Sequence, residues 1–223
     1  MLQPLAVGGE SSRWHEAYKD ERLVKRRASS HKQKLERLGA FALPRSARIL
    51  DVACGTGEAL RILRDQGFAD LTGSDITADP DLKGEPWLHV DEGDACALPY
   101  ADGSFDAVLS MHALHHLGGP VRIGRGFDEW VRVLKPGGLL MLVDHYDSPQ
   151  LRAAFWGLSK PWATWPTKGL RRFREQLVEE RSYLYDYLDA WPVIPVLLHG
   201  LPCDVEVDRQ GLFFFYWAGK KRG

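Results

Sequence analysis

The stretch ILDVACGTGEALRIL, residues 49–63, constrains this chain more than any other. An apolar strand pattern runs into two closely spaced glycines and then into a helical pattern with its apolar residues on one face. A strand that enters a helix through such a turn opens a parallel α/β sheet, and open α/β sheets bind ligands at the carboxyl ends of their strands. Dinucleotide binding asks for a third glycine, so that the helix packs closely while its N-terminus meets the pyrophosphate. Leu60 stands at that place, after Gly55 and Gly57. The turn therefore reads as a close backbone approach to a ligand that carries no pyrophosphate.

The rest of the chain repeats the alternation. Strand candidates are ARILDVA (47–53), LTGSDI (71–76), PWLHVDEGD (86–94), FDAVLSMH (105–112) and GGLLMLVDHY (137–146), with helical patterns at 57–67 and 125–138. Apolar strands separated by helices predict a mostly parallel sheet covered on both faces. Between Asp75 and Trp87 the chain holds only ITADPDLKGEP, too short and too broken by proline for a crossover helix, so one turn or a bare loop is expected there. Residues 1–44 read as an N-terminal helical cover ended by Gly39, with Trp14 and Tyr18 placed to lie over a ligand or pack on the sheet edge. Residues 45–146 form the core, and 147–200 read as an aromatic-rich lid with a helix near 171–190. Residues 201–223 read as a hairpin turning at Gln210–Gly211. All four segments belong to a single domain.

Charge and cysteine usage narrow the class. A net charge of −1 supplies no positive field for a polyanion, and the basic runs KRRASSHKQK and RRFR read as solvated helix faces, so no nucleic-acid partner is expected. Cys54, Cys96 and Cys203 are odd in number and widely spaced, which fits neither a disulfide framework nor a zinc pattern. No run reaches the roughly 18–20 apolar residues of a membrane span, and no secretion signal is evident. A cytoplasmic location is expected; the sequence leaves the oligomeric state open.

Three acids fall at three successive strand ends. Asp51 closes the first strand, Asp75 the second and Asp94 follows the third. A carboxylate at the second strand end suits the two hydroxyls of a ribose. Asp94 could accept from an adenine amino group while the Ala95 amide meets a ring nitrogen. Together the acids fit a phosphate-free nucleoside and favour a cationic ligand.

In order and spacing, ILDVACGTG, GSDI, GDACALPYADGSFDAVLSMHALHHL and VRVLKPGGLLMLVDHY resemble the successive motifs of class I S-adenosylmethionine-dependent methyltransferases. The type is that of ubiquinone, menaquinone and natural-product biosynthesis. The resemblance implies a Rossmann-like seven-stranded sheet of order 3-2-1-4-5-7-6 with the last strand antiparallel, helices on both faces and a helical lid inserted after the fifth strand. It also implies S-adenosyl-L-methionine as cofactor. Carried over residue by residue, Asp51, Ala53, Gly55 and Gly57 surround the methionine portion, with Ala53 replacing the first glycine of the usual pattern. Asp75 binds ribose, Ile76 packs on the adenine face, Asp94 and Ala95 hold adenine, and Ser110 and Met111 approach the methionine through their backbone.

His112 and His116 stand at helical i, i+4 spacing, yet no H-E-x-x-H pattern or nearby cysteine accompanies them, and no metal is expected. In natural-product enzymes of similar sequence, a histidine of the paired His-His position and an aspartate ending the fifth strand act as a base dyad. The matching residues are His115, His116 and Asp144, whose alternative role is to cap and pack the following segment. His112, His145 and Tyr146 lie near strand ends as candidate substrate contacts. Phe155, Trp156, Trp162, Trp165, Tyr183, Tyr187 and Trp191 either line a substrate pocket or form the lid's own small core. The expected activity is methyl transfer to oxygen or carbon of a small apolar or aromatic molecule. The alternatives are a catalytically silent binding module, a protein or RNA methyltransferase, and a nicotinamide oxidoreductase.

Overall fold

The computed structural model describes residues 21–77, 79–158, 160 and 181–223. Its centre is one seven-stranded sheet: β1 (Ile49–Val52), β2 (Leu71–Asp75), β3 (Leu88–Glu92), β4 (Phe105–Met111), β5 (Leu134–His145), β6 (Cys203–Gln210) and β7 (Phe214–Lys221). The order is β3-β2-β1-β4-β5-β7-β6, as the resemblance implied. β1 to β5 pair in parallel, and β7 runs antiparallel to both β5 and β6. The switch follows from local chemistry: β6 and β7 are joined by a turn at Gly211–Phe213, and a connection that short can only reverse direction.

The helices are α1 (Glu21–Arg37), α2 (Glu58–Asp65), α3 (Pro80–Lys83), α4 (Pro120–Val133), α5 (Pro149–Leu158), α6 (Arg181–Asp189) and α7 (Ile194–Gly200). Successive strand residues point to opposite faces, and two cores result. On one face Leu50, Val52, Val108, Leu140 and Leu142 pack with Ile123, Phe127 and Trp130 of α4, Leu184 and Leu188 of α6, and Leu198 of α7. On the other, Ile49, Leu109, Met141 and Val143 pack with Leu35 and Leu38 of α1 and Leu60 and Leu63 of α2. No helix among the described residues is long and apolar enough to cross a membrane.

Several boundaries differ from the sequence pattern. The helix expected at 125–138 begins at Pro120, whose fixed φ suits a first helical position after Gly119 at φ +102°. It ends at Val133, and Lys135–Gly138 belong to β5 instead, where Gly137 takes φ +77°. The short connection after β2 holds a single turn, α3, capped by Asp79, whose side chain accepts from the Asp81 amide at 2.9 Å. α6 matches the later half of the helix expected near 171–190; residues 171–180 lie outside the described part. Much of the expected lid is sheet cover: Leu184, Tyr187 and Leu188 are fully buried in the same core as α4.

Candidate active site

The glycine turn after β1 is built from left-handed backbone. Ala53 takes φ +57°, Gly55 +52° and Gly57 +69°. Ala53 is thus held where a side chain is disfavoured. Gly57 has a second constraint, since a Cβ there would stand 2.5 Å from Leu82 Cδ2 of α3. The turn is tied to β2: the Gly55 amide donates to Asp75 Oδ2 at 2.8 Å, and the Thr77 amide to Asp75 Oδ1 at 3.1 Å. Two backbone donors therefore fix the carboxylate expected to meet ribose, beside the turn expected to meet the methionine portion.

Asp51 is 3% exposed, and burial together with the like charge of Asp75 pushes its carboxyl up to about 8. A buried acid beside another acid accepts a positive ligand readily, because the cation offsets both desolvation and repulsion. Ile76 is exposed next to Asp75 and free to lie under a planar ring. Asp94 departs from the simplest picture. Burial alone would raise it, but the Cys96 amide and the Arg122 guanidinium hold it below the usual carboxylate range. Arg122 Nη2 reaches both carboxylate oxygens, at 2.8 and 3.0 Å. The Ala95 carbonyl accepts from Trp130 Nε1, which fixes the loop that carries both residues. Ser110 is 3% exposed, with a buried Oγ that has no hydrogen-bond partner among the described residues, and Met111 is half-buried next to it.

A second cluster stands where β4 and β5 end. Asp144 is fully buried and accepts three N–H donors: the Leu114 amide at 2.7 Å, His115 Nδ1 at 2.9 Å and its neighbour His145's amide at 2.7 Å. Burial would raise the carboxyl, but His115 and His145 hold it well below the ordinary value. The His115–Asp144 pair of the expected dyad is thus assembled, and the ring of His116 leans on His115 with centroids 4.1 Å apart, where burial and then the charge of His115 bring it down to about 3. His112 and His145 join them, with ring centroids 5.5 Å apart. Burial lowers both below the usual histidine value, His112 strongly. Atoms of His112, Asp144 and His145 come within 4.8 Å of one another. The positive charge there comes from Lys34 of α1, whose Nζ lies 2.7 Å from His112 Nε2 and 4.2 Å from the Phe214 ring centroid.

Lys34 closes the basic run KRRASSHKQK, which the sequence pattern read as a solvated helix face; the structure instead buries it in this cluster. Its signal was present: it shares the apolar stripe of α1 with Leu35 and Leu38, and it is 6% exposed. The lid aromatics divide. Tyr187 is 2% exposed and donates its hydroxyl to the His145 carbonyl at 2.8 Å, so it supports the cluster from beneath. Trp191 packs on Phe215 with centroids 4.9 Å apart, and Tyr146 donates to the Gly211 carbonyl. Phe155 faces His145, and Trp156 is 62% exposed. Trp14, Tyr18, Trp162, Trp165 and the side chain of Tyr183 lie outside the described residues. A cavity of about 280 Å³ lined by Pro44, Asp106 and Lys135 lies at the opposite, amino-terminal end of the strands, away from all these groups.

Comparison with known proteins adds to this geometry. A family model described as a methyltransferase domain matches residues 50–142. A demethylmenaquinone methyltransferase from Beutenbergia cavernae is 32% identical over 180 residues, covering 73% of this chain and 68% of that protein. This chain belongs to the class I S-adenosylmethionine-dependent methyltransferases. The methyltransferase is also 37% identical over 131 residues to a 2-methyl-6-phytyl-1,4-hydroquinone methyltransferase from Synechocystis, there covering 53% of this chain and 39% of the relative. Its fold matches the structure of a Burkholderia thailandensis 1,6-didemethyltoxoflavin-N1-methyltransferase, bound to that substrate and S-adenosylhomocysteine. That match has a TM-score of 0.62 at 17% identity and covers 100% of this chain and 94% of the other.

Proposed function

We propose that this methyltransferase uses S-adenosylmethionine to methylate oxygen or carbon of a small, largely apolar or aromatic molecule bound over the carboxyl ends of β4 and β5. The observation that carries the proposal is the pairing of Asp51, a buried acid acted on by a like charge, with Asp75 fixed by the glycine turn. Such a pair suits a cationic nucleoside without phosphates. The relatives named for quinone-type molecules support an apolar ring system as acceptor.

In this reading Asp51, Ala53, Gly55 and Gly57 hold the methionine portion, Asp75 the ribose, and Ile76, Asp94 and Ala95 the adenine, with Ser110 and Met111 beside the sulfur. The cofactor supplies an electrophilic methyl group when bound. The protein holds the acceptor in line and keeps water away. Where the acceptor atom carries a proton, His115 removes it, with its tautomer and orientation fixed by Asp144 at 2.9 Å. Tyr187 packs against that base, and Phe155 packs against the neighbouring His145.

Calorimetry with S-adenosylhomocysteine tests cofactor use: binding is expected in the wild type and in His115→Ala, and much weaker binding in Asp75→Ala. A protein that binds neither this compound nor S-adenosylmethionine is a silent module. With a quinol acceptor, His115→Ala is expected to slow turnover by 10²–10⁴-fold, the usual contribution of a general base. Unchanged turnover in both His115→Ala and His116→Ala removes these histidines from the chemistry.

A further inference from the structure

We infer that Arg122 of α4 makes the nucleoside end of the cleft selective for a 6-amino purine over a 6-oxo purine, by holding the Asp94 carboxylate fixed as an acceptor. The inference rests on the methyltransferase reading of the cleft and deepens it. Asp94 and Ala95 belong to the stretches that carry the family resemblance, and Arg122 lies outside them.

Asp94 stands in the loop after β3, and Arg122 is the third residue of α4. A single nitrogen, Arg122 Nη2, donates to both carboxylate oxygens, at 2.8 and 3.0 Å, while Nε donates to the Leu117 carbonyl at 2.9 Å. The bond to Leu117 anchors the guanidinium to backbone just ahead of the helix, so the carboxylate is clamped against a fixed group. The Cys96 amide donates to Asp94 Oδ1 at 2.9 Å. Oδ1 thus holds two donors and Oδ2 one. A carboxylate oxygen accepts about two, which leaves one acceptor position on Oδ2. The adjacent Ala95 amide makes no hydrogen bond among the described residues, and the Asp94 side chain is 38% exposed and open to a ligand.

One acceptor beside one donor matches the amino edge of adenine, which offers an N–H at position 6 and a ring-nitrogen acceptor at position 1. Hypoxanthine reverses both, setting its carbonyl oxygen against the carboxylate and its ring N–H against the amide. That mismatch persists only while the carboxylate can neither turn aside nor take up a proton. Burial would raise Asp94, but the Cys96 amide and Arg122 outweigh it and hold the group below the usual carboxylate range. An ionised carboxylate accepts only. Arg122 therefore fixes both its direction and its role.

Bracing of the loop does not account for this residue. The loop backbone is tied to α4 without it: Trp130 Nε1 donates to the Ala95 carbonyl, the Leu98 amide to Glu129, and Arg132 to the Leu98 and Tyr100 carbonyls. Among the described residues, only Arg122 and Cys96 donate to the carboxylate itself. The place is also unfavourable for an arginine. A cation in the first turn opposes the helix dipole, and no acid stands in that turn to offset it. An ion pair as exposed as this one adds little stability in return. A locally disfavoured residue that clamps the acid of a binding site is explained by the site. Arg122 acts through Asp94 and is a positioning residue.

Calorimetry with S-adenosylhomocysteine and its deaminated analogue, S-inosylhomocysteine, reads the selectivity. The wild type is expected to favour the adenosyl compound by about 10²-fold, less than a fully buried polar site achieves because Asp94 is partly exposed. Arg122→Gln is expected to cut that ratio about tenfold, and Arg122→Lys, which keeps a cationic donor beside Asp94, to retain most of it. Asp94→Asn, whose amide can turn a donor to the carbonyl, should lose the preference, and adding Arg122→Gln to it should change nothing further. A merely structural role would weaken both compounds alike and leave the ratio unmoved. An unchanged ratio in Arg122→Gln, an equal loss in Arg122→Lys, or a further loss in the double variant overturns the inference. A wild type that binds both compounds equally defeats this inference alone, whereas one that binds neither defeats the methyltransferase reading.

Discussion

Asp51→Asn exchanges a carboxyl pushed up to about 8, from an ordinary value of 3.8, for a neutral side chain of nearly equal volume. Between those two pH values the unfolded chain has lost the proton that the folded chain retains, so unfolding free energy falls by about 1.4 kcal/mol per pH unit. The contribution is complete below pH 3.8 and is lost as pH rises to about 8. The total is about 6 kcal/mol, of which about 4 kcal/mol is gone by pH 7. Asparagine removes this penalty. At about 2–4 °C per kcal/mol for a chain of this size, Asp51→Asn is expected to raise Tm at pH 7 by roughly 10 °C and to flatten the pH dependence between pH 4 and 8. The gain comes at the expense of binding. In the wild type a cationic ligand drives Asp51 to ionise, so S-adenosylmethionine binding at pH 7 should release close to one proton, visible as a buffer-dependent calorimetric heat. Parallel stability curves for the two proteins, or heats independent of buffer, would refute the reasoning.

Lys34→Met should also stabilise the ligand-free protein. The native amine is lowered from 10.5 to about 8, so its charge costs about 3 kcal/mol at pH 7, and wild-type stability alone should recover as pH rises from about 8 to 10.5 in denaturant titrations. Ala53→Gly relieves a side chain at φ +57° and, after the added unfolded-state freedom of glycine, should gain roughly 0.5–1 kcal/mol in urea unfolding. Gly57→Ala places a Cβ 2.5 Å from Leu82 Cδ2 at φ +69° and should cost about 2–3 kcal/mol while weakening S-adenosylhomocysteine binding; Leu82→Ala in the same chain should not restore binding, because the backbone strain remains. Asp144→Asn sets an amide N–H against one of three N–H donors, with an expected loss of about 3–5 kcal/mol and of turnover.

The sheet was legible because its signals are local: apolar strands that end in acids, two glycines before an amphipathic helix, and Gln210–Gly211 between strand patterns. Signals that need a partner elsewhere were not. Tyr187 and Trp191 stayed open between a pocket lining and the lid's own core because aromatic content does not say which side of a helix meets the sheet; the structure buries Tyr187 and stacks Trp191 on Phe215. The Asp94–Arg122 pair joins residues 28 apart, and Lys34 meets His112 across 78. Neither spacing leaves a periodic trace. The start of α4 was misplaced because glycines at 124 and 126 diluted its helical pattern, while the capping pair Gly119–Pro120 marked it plainly.

The pairing order of β5, β7 and β6 has a consequence for how the protein is made. β6 leaves the ribosome with no neighbour to bond to, since its place beside the sheet exists only after the later strand has slotted in between. Until then β5 offers a bare edge, and Lys34 lacks the Phe214 ring that walls off one side of it. A nascent chain stalled short of β7 would thus present a sticky rim to its neighbours and no working cleft, which makes this junction the place to look first when the protein is recovered in aggregates.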